Sequence, residues 1–299
     1  MGFEIKIGNP MKILSYCDRV LAENYELARD FDRRPAYVVK KILEFSFGSF
    51  GEVCGHSPLV FSRRLVLASL IAGVIAEASL GRYKHLTIAI VGTPGSGKTT
   101  YSVYSSIGAL LLSGVSYDDA LKIVSERIFF EPESLLAFLN KIKDEYGKKW
   151  YPVVIIDDIG VQISKYWLHL GERHWINFFK MLEQLKESIG VLIVTARSFE
   201  GIASKIREIV DIIVQSNYII FSEGFRVGLF EFFSPEVWRR RKKYARKYVD
   251  VILPCVRLPE DLWSRMISSR SRMIEESVRK LNEKMRDEES EEEGSEDVE

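Results

Sequence analysis

Residues 92–99, Gly-Thr-Pro-Gly-Ser-Gly-Lys-Thr, constrain this chain more than any other stretch. They match G-x-x-x-x-G-K-[ST], a phosphate-binding loop that carries meaning only between a strand and a helix. Both flanks are present. Residues 86–91 (LTIAIV) read as a buried strand, and residues 100–112 read as a helix. In such a loop the backbone N–H groups make a nest for phosphate oxygens, helped by the helix N-terminus. Gly92, Gly95 and Gly97 allow the tight turn, with Thr93, Pro94, Ser96 and Thr100 completing the cradle. The spacing assigns Lys98 to the β and γ phosphates and the Thr99 hydroxyl to Mg²⁺.

Beyond the loop, apolar strands alternate with helices. Strand runs are expected at 127–130, 153–156, 190–195 and 209–214, and helices at 133–146, 172–188 and 200–208. This alternation predicts a three-layer α/β fold with a mostly parallel central sheet covered on both faces. Residues 1–84 read as a mostly helical segment, including helices between 18 and 47 separated near Pro35 and an apolar helix over 59–80. After residue 216 the pattern changes. Residues 218–221 and 226–233 read as an antiparallel hairpin, followed by an edge strand near 249–253 and a long helix from Pro259 to about 285. The expected division is an N-terminal helical segment (1–84), a P-loop core (85–216), a hairpin and basic helical extension (217–286) and a disordered acidic tail (287–299).

Hydrolysis requires a carboxylate-bearing strand beside the loop, and VVIIDD supplies one. Asp157 is expected to hold the metal shell and Asp158 to orient or polarise the attacking water; a slip of one residue exchanges the two roles. Thr195 ends the next core strand, at the sheet edge where ligands bind in open α/β sheets. Its hydroxyl is a candidate γ-phosphate sensor. Arg197 and Arg207 are candidates for a charge-stabilising arginine, in cis or from a neighbouring subunit.

A formal net charge of zero conceals two opposed regions. Residues 287–299 hold nine acidic side chains and no basic one, which leaves a body charge of about +9. Much of the excess lies in residues 238–248, where Arg239, Arg240, Arg241, Lys242, Lys243, Arg246 and Lys247 are interleaved with Trp238, Tyr244 and Tyr248. Such a run suits a phosphate backbone, whose binding is chiefly electrostatic. Three widely spaced cysteines argue for a reducing compartment. No apolar run reaches the length of a membrane span, so a cytoplasmic location is expected.

Four segments in order, GTPGSGKTT, RIFFEPESLLAFLNKI, VVIIDDIG and VLIVTAR, resemble parts of the additional-strand P-loop ATPases of the AAA+ class. They correspond to the phosphate loop, the second strand and helix, the Mg²⁺ strand and the sensor strand. The nearest likeness is to the replication-initiator and helicase-loader branch, and it covers about 40% of the chain. It implies nucleotide and metal roles for Lys98 and Thr99, an acidic box at Asp157 and Asp158, and a sensor at Thr195. The stretch IASKIREIVDIIVQ, followed by a β pair, also resembles viral and plasmid DNA-packaging or translocase ATPases. In that branch a glutamate is usual where Asp158 stands.

Both likenesses imply ATP and Mg²⁺ as cofactors, DNA as a partner without sequence-specific readout, and a homo-oligomer such as a ring. A helicase or packaging partner follows from the same branches. Two other classes stay open: a nucleotide-dependent oligomeric scaffold with little DNA-stimulated turnover, and a small-metabolite kinase.

Overall fold

The computed structural model describes residues 2–3, 7–31, 37–38, 40–41, 63–82, 84–159, 181, 184–220, 226–239, 248–252 and 256–296. These residues form two compact units, Met1–Arg257 and Leu258–Glu299.

The first unit is a mixed α/β fold with a central eight-stranded sheet. Its elements are β1 (Gly2–Phe3), α1 (Pro10–Arg29), α2 (Val66–Ser79), β2 (Leu86–Gly92), α3 (Lys98–Leu112), α4 (Tyr117–Glu126), β3 (Ile128–Phe129) and α5 (Pro132–Asp144). There follow β4 (Lys149–Ile156), β5 (Ile189–Ala196), α6 (Ser204–Glu208), β6 (Ile212–Ile220), β7 (Arg226–Phe233), α7 (Pro235–Arg239) and β8 (Tyr248–Ile252). The main path through the sheet is β4–β5–β2–β6–β7–β8, with β1 and β3 each paired to β4. Pairings from β1 and β3 through β6 are parallel, and those of β6 with β7 and β7 with β8 are antiparallel.

Burial explains the continuous apolar runs. All eight residues of β5 are buried, and in β4 only Lys149 is not. Strands covered on both faces need apolar side chains at every position. On one face, Leu135, Leu139 and Ile142 of α5 and Ile206 of α6 pack with Ala89, Val91, Val154, Ile156, Leu192 and Val194. On the other face, α3 lies against β2, β4 and β5, and α2 packs on α3, α1 and β5. Helix α2 (VLASLIAGVIAEAS) is apolar around most of its circumference, as a helix largely enclosed by neighbours should be. Sequence analysis anticipated these helices with shifted ends. Helix α1 begins at Pro10, capped by the Asn9 side chain, which accepts from the N–H groups of Met11 and Lys12.

The expected boundary at residue 216 falls inside a strand. β6 runs through it, and β7 and β8 extend the same sheet by hydrogen-bonded register. The hairpin is therefore continuous with the core. The expected turn at 222–225 and most of the expected helix at 172–188 lie outside the described residues. The second unit consists mainly of α8 (Glu260–Glu296), which continues through residues 287–296, where disorder was expected. Glutamate is a strong helix former, so this acidic run is compatible with a helix. Among the described residues no helix is long and apolar enough to cross a membrane.

Helix α2 lacks a cap of its own. Its N-cap residue is Leu65, and the missing acceptor comes from Asp250 on β8. Asp250 accepts from Val66 N–H at 2.9 Å, from Leu67 N–H at 3.2 Å, and from the Tyr101 hydroxyl of α3. Burial lifts its carboxyl to about 6, against the downward pull of these hydrogen bonds. The folded value exceeds the unfolded one of about 4, so the folded chain holds this proton more tightly across that interval. Ionising Asp250 should therefore cost stability as pH rises from about 4 to 6, by roughly 3 kcal/mol, and the cost vanishes below that window. Asp250→Asn removes the titration. Wild type should lose Tm relative to the variant between pH 4 and 7; a constant difference would contradict this.

Candidate functional site

The site lies at the carboxyl ends of β2, β4 and β5. Strand β2 ends at Gly92, and the loop turns into α3 through Gly95 at φ 79° and Gly97 at φ 86°. These left-handed values favour glycine. Gly97 is the N-cap of α3 and contributes no side-chain cap. The first intrahelical bond runs from Tyr101 N–H to Gly97 O, so the N–H groups of residues 98–100 precede the ladder. Thr93, Pro94 and Gly95 are exposed, and Thr100 is half-buried in the first turn of α3. Ser96 is buried, and its Oγ has no hydrogen-bond partner among the described residues. The Lys98 ammonium lies over the loop, donating to Gly92 O at 2.7 Å and Thr93 O at 2.9 Å.

Asp157 follows β4 and meets the loop helix. Its Oδ1 accepts from the Thr99 hydroxyl at 2.7 Å and from the Thr195 hydroxyl at 2.8 Å. Thr195 Oγ1 in turn accepts from Asp158 N–H at 2.8 Å. Four residues from three elements are thereby tied together, although β4 and β5 are separated by more than thirty residues of chain. Strand alternation selects which acid takes part. Ile156 pairs with Val194 and packs on the face away from α3, so the residues that follow them, Asp157 and Thr195, point towards α3. Asp158 has turned out of the strand at φ 49°, a left-handed conformation that aspartate tolerates better than most residues.

The candidate arginines are placed differently. Arg197 is exposed two residues beyond Thr195, at the same edge of the sheet. Arg207 is half-buried in α6, and its Nε has no hydrogen-bond partner among the described residues. Four residues later, Asp211 N–H donates to Thr87 O at the opposite end of β2, which places Arg207 towards the amino end of the sheet. In the basic run, residues 240–247 lie outside the described residues, and Arg239 ends α7. The two flanking aromatics serve the fold. Trp238 packs against Phe199 and Phe233, and Tyr248 meets Tyr25 and Phe232 edge-on. Both rings, which sequence reading grouped with the basic residues, thus have packing partners within the fold.

Sequence reasoning missed Ser216. Its hydroxyl donates to Ser96 O at 2.9 Å, so β6 holds the loop directly. A serine between Gln215 and Asn217 in β6 offers no local signal for this. Among the described residues no cluster of three or more His, Cys, Asp or Glu side chains could hold a metal by itself. The hard oxygen donors present are Thr99 Oγ1 and Asp157 Oδ1. Mg²⁺ usually takes one or two protein oxygens and completes its shell with phosphate and water, so this sparse set fits it.

No family model matches the chain. The uncharacterized protein B-251 of Sulfolobus spindle-shape virus 1 is 27% identical over 119 residues, 40% of this chain and 46% of that protein. The match thus spans less than half of that relative's length. Among solved structures, the flagellar accessory protein FlaH from Methanocaldococcus jannaschii aligns with TM-score 0.28 and 15% identity, over 50% of this chain and 78% of that one. The N-terminal domain of zonular occludens toxin from Neisseria meningitidis aligns with TM-score 0.29 and 14% identity, over 60% and 97%. The Legionella pneumophila ATPase DotB aligns with TM-score 0.31 and 11% identity, over 61% and 60%. At these values none of the three transfers a function to this chain.

Proposed function

We propose that this chain is a Mg²⁺-dependent ATPase that couples hydrolysis to remodelling, loading or translocation on DNA, and that it works as a homo-oligomer. The observation that carries the reading is the hydrogen-bonded set Thr99–Asp157–Thr195 beside the glycine loop. The residues present fit a nucleotide phosphate tail. The first-turn N–H groups of α3 precede the helical ladder, and the buried Ser96 hydroxyl lacks a partner among the described residues. The strand order supports the additional-strand class, because β5 stands between the loop strand β2 and the acidic strand β4.

Mg²⁺, when bound, would neutralise charge developing on the phosphates. The chain's own residues do the rest. Lys98 exchanges its two carbonyl partners for phosphate oxygens. Thr99 and Asp157 hold the metal, Thr195 keeps Asp157 and Asp158 in register, and Asp158 orients water. Arg197 is at the right edge to act in cis. Arg207, towards the other end of the sheet, is better suited to a neighbouring subunit's site. The basic residues Arg239, Arg240, Arg241, Lys242, Lys243, Arg246 and Lys247 supply the DNA contact.

Steady-state ATPase assays with single-stranded DNA, with double-stranded DNA and with neither test the proposal. Lys98→Ala should lower the rate at least about 100-fold, the scale on which one preorganised charge contact acts. Changing Arg239, Arg240, Arg241, Lys242 and Lys243 to glutamine should abolish stimulation by DNA and leave the basal rate. A wild-type rate indifferent to both forms of DNA would favour the nucleotide-dependent scaffold.

A further inference from the structure

One cross-strand row runs beneath the loop. Gly92 on β2 pairs with Ser216 on β6, Ser216 with Phe230 on β7, and Phe230 with Asp250 on β8. Side chains in such a row share one face of the sheet. Here that face carries the loop and α3, and every member of the row touches one or the other. A Cβ on Gly92 would lie 2.2 Å from Ser216 O, so the two backbones are as close as they can be. The Ser216 hydroxyl donates to Ser96 O. Phe230 stacks on Tyr101 of α3, with centroids 3.8 Å apart and planes 17° from parallel. The same ring lies 3.8 Å from where a Cβ on Gly97 would stand. Asp250 accepts the Tyr101 hydroxyl and ties it to the first N–H groups of α2.

We propose that Ser216, Phe230 and Asp250, with Tyr101, are positioning residues that hold the loop in its binding shape and couple it to the edge strand β8. This rests on the nucleotide reading above. None of the four residues belongs to the Thr99–Asp157–Thr195 set; they act through the backbone of residues 96–101. Preformed donors bind a phosphate tail more tightly than donors that must first be ordered. The coupling is reciprocal, because a ligand that favours the ordered loop must also favour the β8 arrangement that orders it. The basic run 239–247 leads directly into β8, so a partner held there acts within three residues of Asp250. On its other edge β8 is pinned to α1. Asn24 donates to Val249 O at 2.6 Å and accepts from Val249 N–H at 2.9 Å.

Hydrogen exchange of the 95–101 amides in the nucleotide-free chain, together with binding of mant-ATP and Mg²⁺, tests the proposal. Tyr101→Phe keeps the ring stack and deletes the hydroxyl, and with it the bond to Asp250 and the contacts with Ser105 and Leu67. Ser216→Ala deletes only the bond to Ser96. Both should speed exchange of the loop amides and weaken mant-ATP binding about tenfold. Asn24→Ala, which touches neither loop nor α3, should also speed loop exchange by loosening β8. Leu139→Ala in α5, a cavity on the opposite face, should lower Tm and leave loop exchange and affinity as in wild type. The proposal is overturned if Tyr101→Phe and Ser216→Ala exchange like wild type, or if Leu139→Ala changes the loop as much as they do. Unchanged loop exchange in Asn24→Ala would remove the coupling to β8. Failure of wild type to bind mant-ATP would instead overturn the nucleotide reading, and the exchange data would still judge the row.

Discussion

Gly92→Ala should destabilise this chain more than any other single-methyl change in the loop. The added Cβ would stand 2.2 Å from Ser216 O and 3.0 Å from both Ser216 C and Ser216 Cβ. Backbone cannot yield as the end of a flexible side chain can. Gly92 and Ser216 are paired in the β2–β6 ladder, and Ser216 is also fastened to Ser96. Gly92 has φ 156°, unfavourable for an L side chain. Overpacking and backbone strain each cost about 1–3 kcal/mol, so a loss of roughly 3–5 kcal/mol is expected. For a chain of this size that is about 10 °C in Tm. Gly95→Ala is the comparison. Its Cβ would meet nothing within 4 Å, and only its φ of 79° penalises the change, for about 1–2 kcal/mol. Thermal melts of the two variants should rank them clearly. Equal Tm values would mean that the close approach of β2 and β6 is absent in solution.

Asp157→Asn should have the opposite profile, a folded protein with failed chemistry. The amide has the shape of the carboxylate, and its oxygen can still accept from the Thr99 and Thr195 hydroxyls that now donate to Oδ1. Tm should therefore change by only a few degrees. What is lost is the negative charge that Asp157 brings to the Thr99 metal set. A site that loses one preorganised electrostatic contact at the transition state slows by about 10²–10³, or roughly 3–4 kcal/mol. ATPase activity should fall by that factor at saturating Mg²⁺, while nucleotide affinity changes only a few-fold, because the loop and Lys98 are untouched. Thr195→Ala separates the contributions further, since it removes a bond to Asp157 and an acceptor for Asp158 N–H together. If Asp157→Asn hydrolysed ATP at the wild-type rate, Asp157 would hold no metal in the reaction.

Several local features were legible before any coordinates. The loop, its glycines and the strand and helix around it are contiguous, and steric rules for φ together with helix geometry operate over a few residues. The buried strands β4 and β5 were legible because double-sided burial demands unbroken apolar runs. The edge strand near 249–253 was visible as Tyr248–Ile252. The extent of β6 was harder to read. Its outer half, SNYII, mixes polar and apolar residues, so the expected break at 216 hid a single nine-residue strand. The packing of Trp238 was hidden for a related reason. Its basic neighbours are close in sequence, whereas Phe199 and Phe233, which explain it, become neighbours only through folding.

The choice between Asp157 and Asp158 shows where local reading ends. Two adjacent acids at a strand end are equivalent as letters; they differ once the β4–β5 register fixes which face each position takes. Sequence alone determined that this chain builds a glycine loop between a buried strand and a helix, with carboxylates ending a second strand, because each is a short-range pattern. Tertiary structure alone decided which carboxylate meets Thr99, and that Ser216, Phe230 and Asp250 support the loop from three further strands. Those contacts join residues 120 and 149 positions apart, as in Ser216 to Ser96 and Tyr101 to Asp250. The physical reason is that strand register and helix packing choose the partners, and a residue's distant partner leaves no periodic or local trace in the chain.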